Sequence, residues 1–165
     1  MDIQTERLLL SPARLADVPA LFAFLGDARA MQHTHRCETL RECRRHVAGH
    51  EWQRRKRGYA PWTIRSRADG AVIGYGGLYE DPFDPGWGVE IGYWFAPSAW
   101  GRGYATELTN ASLAEARDQL RLAEVWAFAK PENLGSGRVL DKAGFEKQRY
   151  VPEMERWLYR HGLEG

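Results

Sequence analysis

The sequence predicts an α/β (α+β) fold: a single domain over residues 1–165 with a central mixed, mostly antiparallel twisted sheet flanked by about four helices. Three observations predict it. Ala68-Asp69-Gly70 is a turn signal between two apolar runs, so they form a hairpin, and a third run from Gly88 extends it into an antiparallel meander. A helical stretch separates that third run from Ala123 to Ala129 (AEVWAFA), so these two strands are expected to be parallel, joined by a right-handed crossover. The third observation is the glycine-bearing loop between the Gly88 run and that helix, a natural seat for a phosphorylated ligand.

Composition bounds the function. The chain has 165 residues, 44% hydrophobic and 27% charged, ordinary values for one globular domain. A formal net charge of +1 gives no global field toward nucleic acid or an anionic membrane. No apolar run approaches the roughly 20 residues of a membrane helix. The opening MDIQTERLLLSPARL has early acids and a short leucine run, unlike a signal peptide. Cys37 and Cys43 make no disulfide framework, so a reduced, cytoplasmic protein is expected.

Taken in order, Arg7 to Leu10 reads as a short strand closed by Pro12. Asp17 is placed to cap a helix with Pro19 in its first turn; Leu15, Val18, Phe22 and Leu25 follow at helical spacing, and Gly26 supplies a left-handed cap. Thr39 and Glu42 have capping-box spacing, with Leu40, Cys43 and Val47 on one face of a helix from about Leu40 to Arg57, stopped by Gly58. The basic run Arg54 to Arg57 raises the idea of a nucleic-acid module, which predicts steeply salt-dependent binding; a solvated helix end favoured by the dipole fits the nearly neutral chain better. His33, His35, Cys37, Cys43 and His46 invite a zinc reading, but they lack paired ligand spacing, so no metal is expected and the histidines read as the lining of a substrate cleft. The hairpin strands run from Ala60 to Arg65 and Ala71 to Tyr79, and Glu80 to Gly86 is a loop. Beyond the strand Ala123 to Ala129, a short helix starts at Pro131-Glu132-Asn133 and ends at Gly144-Phe145, and Arg149 to His161 forms two final strands around Pro152.

The most informative stretch is GVEIGYWFAPSAWGRGYATE, Gly88 to Glu107. Val89, Ile91, Tyr93 and Phe95 alternate with Glu90, Gly92 and Trp94, as in a strand. Gly101, Arg102 and Gly103 lead into a helix from about Tyr104 to Leu120, whose first amides have no partner within the helix. A Walker A loop fails, because Tyr104 and Ala105 stand where Lys and Ser/Thr belong; the dinucleotide fingerprint fails at Thr106.

The longer string does match something specific. Tyr93-Trp94-Phe95-Ala96-Pro97, followed by Trp100-Gly101-Arg102-Gly103-Tyr104-Ala105-Thr106-Glu107, resembles the acyl-coenzyme A loop of the GNAT N-acetyltransferases, above all the branch of ribosomal-protein N-terminal acetyltransferases. A second string, N-x-x-S-x-R-V-L-x-K-A-G-F from Asn133 to Phe145, and the opening T-E-R-L-L-L-x-P are similar to the same branch. The resemblance covers nearly the whole chain. It implies a GNAT-type sheet whose parallel strands splay to admit pantetheine beside Phe95 and Ala96, with acetyl-coenzyme A held by Trp100 to Thr106, Asn133 and Ser136. Trp100 replaces the usual Gln/Arg of the loop. Leu140 stands where many members carry the tyrosine that protonates the leaving thiolate; the resemblance to the ribosomal-protein branch implies Ser136, at the N-x-x-S position, as the candidate acid. Relatives are often homodimers, though no patch here picks out an interface.

Acetyl transfer to an amine needs a neutral nucleophile, donors for the developing oxyanion and a means to protonate the thiolate. Backbone amides near Phe95 can serve the oxyanion. Glu90, a carboxylate in an apolar strand, is a candidate base whose pKa burial would raise; a cross-strand partner for an Arg is the equal alternative. Asn133 and Ser136 read equally as helix caps, and Glu107 as a dipole-complementing residue. The expected activity is therefore acetyl-coenzyme A-dependent N-acetylation of a primary amine by direct transfer, the acceptor being a protein N-terminus or a small cationic amine. The alternative is an acyl-coenzyme A sensor or interaction domain without turnover.

Overall fold

A computed structural model of the chain describes residues 1–163. The first strand signal resolves into two antiparallel strands, β1 (Ile3–Gln4) and β2 (Leu8–Pro12), with Leu8 and Leu10 fully buried. Pro12 ends β2 instead of standing beyond it, opposite Trp62 at the last rung, where a missing N–H interrupts nothing further. Helix α1 (Val18–Leu25) carries Pro19 in its first turn, as expected. Two expectations around it fail. Leu15 to Asp17 form a separate 3-10 turn, which leaves Leu15 exposed and turns the Asp17 carboxylate away from the helix toward the sheet. Gly26 is right-handed, with φ −96; it is glycine for space, since a Cβ there would lie 2.5 Å from the Phe22 ring.

Helix α2 (Leu40–Arg57) is capped by Thr39, whose Oγ1 accepts the Glu42 amide at 3.0 Å, and it ends on left-handed Gly58 at φ +91. The Glu42 carboxylate reaches past the cap to the Glu38 amide at 2.9 Å. Cys43 and Val47 are buried, whereas Leu40, in the first turn, is exposed. The basic run is partly tied down: Arg54 donates to the carbonyls of Ala60 and Pro61, and Arg57 pairs with Glu80.

The hairpin forms between β3 (Trp62–Ser66) and β4 (Val72–Tyr79) around Gly70, and β5 (Glu90–Phe95) continues it antiparallel. In β4, a Cβ on Gly76 would sit 2.6 Å from the Gly92 carbonyl oxygen and 2.7 Å from the Tyr93 Cα, so only glycine fits against β5. Gly76→Ala is therefore expected to destabilise the fold by about 1–3 kcal/mol, measured by urea unfolding; an unchanged midpoint would show that the β4–β5 rung is slack.

Helix α3 (Tyr104–Asp118) crosses over to β6 (Glu124–Ala129), which lies parallel to β5. After α4 (Leu134–Lys142), β7 (Glu146–Val151) and β8 (Arg156–Gly162) complete the sheet, the penultimate strand beginning three residues before the expected Arg149. In residues 1–163, eight strands form one mixed sheet in the order β1-β2-β3-β4-β5-β6-β8-β7, flanked by four α-helices. The side chains of β5 sort by the strand's period of two. Trp94 packs with Leu21, Cys43 and Val47 on the α1/α2 face, while Ile91 and Phe95 pack with Leu113, Leu140 and Leu108 on the α3/α4 face. No helix among the described residues is long and apolar enough to cross a membrane.

Candidate active site

The parallel pair β5–β6 is the origin of the site. Glu90 and Trp126 are its one registered pair, and the Trp126 amide donates to the Val89 carbonyl at 2.8 Å. Beyond that rung the strands part. A cleft of about 930 Å³ fills the opening and runs from the loop before α2 to the first turns of α3 and α4. Peptide groups alternate in direction along a strand. The Ala96 amide donates to Ile73 in β4, at 2.9 Å, and Val89 faces β6, so the amides of Tyr93 and Phe95 also face the opening.

At one end lies the glycine loop. Gly101 (φ +73) and Gly103 (φ +81) hold left-handed conformations in which a side chain would be strained, and Gly103 caps α3 without a side-chain bond. The Glu107 amide takes the Gly103 carbonyl at 3.1 Å, so the amides of Tyr104, Ala105 and Thr106 are the orphan donors of the helix start. This loop has a brace that the sequence did not mark. Arg7 donates to Glu107 at 2.8 Å and to the Arg102 carbonyl at 2.7 Å, and its guanidinium lies over the Tyr104 ring. Thr5 adds a further hydrogen bond to Glu107. Burial alone would push the Glu107 carboxyl up, but these bonds outweigh it and hold it below the usual range. Glu107 is thus the anchor of the N-terminal strands on α3.

Trp100 does not offer its side chain to the loop. Its indole donates to the Phe95 carbonyl at 3.0 Å and its ring lies under the Arg29 guanidinium, so it braces the end of β5.

At the start of α4, Asn133 Oδ1 accepts the Ser136 amide at 3.2 Å, the cap the spacing suggests. Ser136 Oγ in turn lies 2.9 Å from the Tyr93 hydroxyl. Leu140 is buried in the core beneath. Tyr93 was hidden in the sequence inside a run explained by strand alternation; burial pushes its phenol up to about 12.

On the α1/α2 side stands Glu90, only 5% exposed. Burial first, then the nearby Asp81, pushes its carboxyl up to about 8, against a long hydrogen bond from the Tyr79 hydroxyl at 3.4 Å. No Arg forms an ion pair with it among the described residues, which removes the cross-strand alternative. Aromatic groups surround this end: His46 stacks on Phe83 at 5.7 Å, and His50 meets the Tyr79 ring edge-on at 5.3 Å. Burial lowers the pKa values of both histidines, that of His50 to about 3. Arg156 crosses the mouth and donates to the His33 carbonyl at 3.3 Å. His33, His35, Cys37, Cys43 and His46 do not converge; among the described residues no three His, Cys, Asp or Glu side chains could hold a metal together.

Of the residues singled out from the sequence, the cleft brings together Glu90, Phe95, Trp100, Gly101, Gly103, Tyr104, Ala105, Thr106, Asn133 and Ser136. Ala96 and Arg102 do not line it: the Ala96 amide belongs to the sheet, and Arg102 is exposed.

Comparison with known proteins agrees with this architecture. Residues 7–146 match the acetyltransferase (GNAT) domain family. The chain is 29% identical over 157 residues to the uncharacterized protein YkkB of Bacillus subtilis, covering 93% of this chain and 88% of that one. It is 24% identical over 162 residues to the uncharacterized N-acetyltransferase YnaD of the same organism, covering 95% and 92%. Among solved structures, an acetyltransferase from Agrobacterium tumefaciens superposes with a TM-score of 0.83 at 25% identity, covering 98% of this chain and 94% of that one. RimJ of Mycobacterium smegmatis, solved with CoA-disulfide, superposes with a TM-score of 0.76 at 21% identity, covering 94% and 81%. With a family match that spans most of its length and the splayed sheet that goes with it, the chain belongs to the GNAT acetyltransferases.

Proposed function

We propose that the chain moves the acetyl group of acetyl-coenzyme A directly to a primary amine, the two substrates meeting in the opening between β5 and β6. The observation that carries this reading is Glu90, a buried carboxyl pushed up to about 8 on the wall of the same cleft that holds the glycine loop. A base with that pKa is ionised, and can accept a proton from an amine, in mildly alkaline solution.

The cleft suits the co-substrate. Gly101 and Gly103 keep the loop free of Cβ atoms, and the orphan amides of Tyr104, Ala105 and Thr106 are suited to a pyrophosphate. The Tyr93 and Phe95 amides along the opening suit the amide groups of a pantetheine arm and the oxyanion of the acyl carbon. Bound there, the co-substrate supplies an activated acetyl thioester. Glu90 faces α1/α2 and Tyr93 faces α3/α4, because residues three apart in a strand point to opposite faces. The amine is therefore deprotonated on one side of the sheet, while the sulfur departs past Ser136 on the other.

Glu90 and Asp81, set among Tyr79, Trp94, Phe83 and His46, favour a small cationic amine as acceptor. A protein N-terminus is the second reading, favoured by the resemblance of the loop Trp100 to Glu107 to that of the ribosomal-protein N-terminal acetyltransferases. The buried free thiols Cys37 and Cys43 suit a reducing compartment, so we assign the protein to the cytoplasm.

The test is thiol release from acetyl-coenzyme A across a panel of polyamines, aminoglycosides, amino acids and ribosomal-protein N-terminal peptides, with calorimetric binding of the co-substrate alongside. Turnover on one class names the acceptor. Tight binding without turnover on any amine would favour a sensor, and no binding at all would overturn the reading.

A further inference from the structure

The hydroxyl pair Tyr93–Ser136 sits on the cleft wall at the head of α4, and it contains the tyrosine that α4 itself lacks. We propose that Tyr93 is a positioning residue that donates a hydrogen bond to Ser136 Oγ and thereby aims the Ser136 O–H at the departing sulfur. This inference rests on the acetyl-transfer reading above.

The direction of the bond follows from the chemistry of the two hydroxyls. The two oxygens are 2.9 Å apart and either could donate. A phenol is the more acidic hydroxyl and the better donor, and the aliphatic serine oxygen is the better acceptor. With Tyr93 as donor, the Ser136 proton is the one left to turn into the cleft that both residues line. Ser136 is otherwise immobilised, its amide held by Asn133 at the head of α4. Accepting one hydrogen bond also polarises an O–H toward donating the next, so Tyr93 strengthens the contact that it orients.

The protons balance. As the amine nitrogen bonds to the acyl carbon, its proton passes to Glu90. The C–S bond then breaks with its electron pair on sulfur, and the Ser136 O–H meets that charge as a hydrogen-bond donor. The thiolate takes a proton from water at the open end of the cleft, and the proton that Glu90 releases to solvent neutralises the hydroxide left behind. Tyr93 gives up no proton. A phenol raised to about 12 stays neutral throughout, as an orienting donor must.

The experiment measures kcat, KM and co-substrate affinity for the full-length enzyme and for Tyr93→Phe, Ser136→Ala and the double variant. Each is assayed with acetyl-coenzyme A and with its selenoester analogue, whose selenol is acidic enough to leave without help. Tyr93→Phe is expected to lower kcat about 10-fold and Ser136→Ala about 100-fold on the thioester, with the co-substrate affinity of Tyr93→Phe within about 2-fold of wild type. The double variant should be no slower than Ser136→Ala, because the two act as one unit. On the selenoester both losses should shrink toward unity. That ratio is taken within each variant, so partial unfolding does not move it. The inference fails if Tyr93→Phe keeps its thioester rate, if the two losses multiply, or if they are equal on both esters. An inactive wild-type enzyme would instead sink the acetyl-transfer reading itself.

Discussion

Glu90→Gln is expected to lower kcat by about 10²–10⁴-fold and to remove the inflection of the pH–rate profile near 8, leaving co-substrate affinity unchanged. As a base Glu90 must be ionised, so the wild-type rate should climb as pH passes about 8. Gln cannot ionise, so its residual rate should rise with pH only as the acceptor amine itself loses its proton. The same shift has a consequence for stability. Folding raises this carboxyl from the ordinary value of about 4.3, so the stability it contributes is present below that pH and is lost as pH rises to about 8. The variant should therefore melt higher than wild type at pH 9 but not at pH 4. A pH–rate profile that Glu90→Gln leaves in place would remove Glu90 from the chemistry. Equal melting shifts at both pH values would show that its carboxyl is not strained by burial.

Asp17→Ala is expected to cost about 3–5 kcal/mol of stability, since it strips the partner from a largely buried pair. Asp17 is 5% exposed and accepts from the Arg14 amide at 2.9 Å, from Thr63 at 3.1 Å and from Arg65 at 2.5 Å. Thr63 and Arg65 lie two residues apart on β3 and so present to one face, and the carboxylate gathers them to the entry of α1. Burial would push the Asp17 carboxyl up, but the hydrogen bonds from the Arg14 amide, Arg65 and Thr63 together outweigh it and hold it below its ordinary range. A depressed folded pKa stabilises above the unfolded value and fades as pH falls through the folded one. Chemical denaturation should thus separate Asp17→Ala widely from wild type at pH 7 and progressively less in acid. A gap that persisted undiminished at pH 2 would mean that packing around Asp17, not its charge, carries the effect.

Asp17 also marks where reading from sequence stops. An Asp ahead of a proline-bearing apolar helix has the grammar of a cap, and nothing local reveals that residues far along the chain claim its oxygens. The same holds for Arg7 and Tyr93, whose partners Arg102 and Ser136 become neighbours only through the fold. What was legible was local. The period-two run of β5, the turn at Gly70, the Thr39 cap and the glycine punctuation at 58, 101 and 103 each express a backbone rule within a few residues. The parallel pairing of β5 and β6 was legible because a helix intervenes. Glu90 and Ser136 could be named as groups, and so could the upward push of burial on the Glu90 carboxyl, but their opposite faces needed the fold.

The single rung between β5 and β6 bears on how this molecule breathes. β1 to β5 and β6 to β8 are two continuous ladders joined through the backbone at Glu90 and Trp126, and otherwise by the apolar cluster of Leu78, Ile91, Val125, Ala127 and Leu140. A seam held by side chains can part without unzipping either ladder, so the two halves should behave as separate cooperative units in native-state hydrogen exchange. A molecule lying along the seam and bonding both edges would serve as the missing strand, fusing the two units into one. Its affinity would then be written into the slowed exchange of β5 and β6, far beyond the few groups it touches.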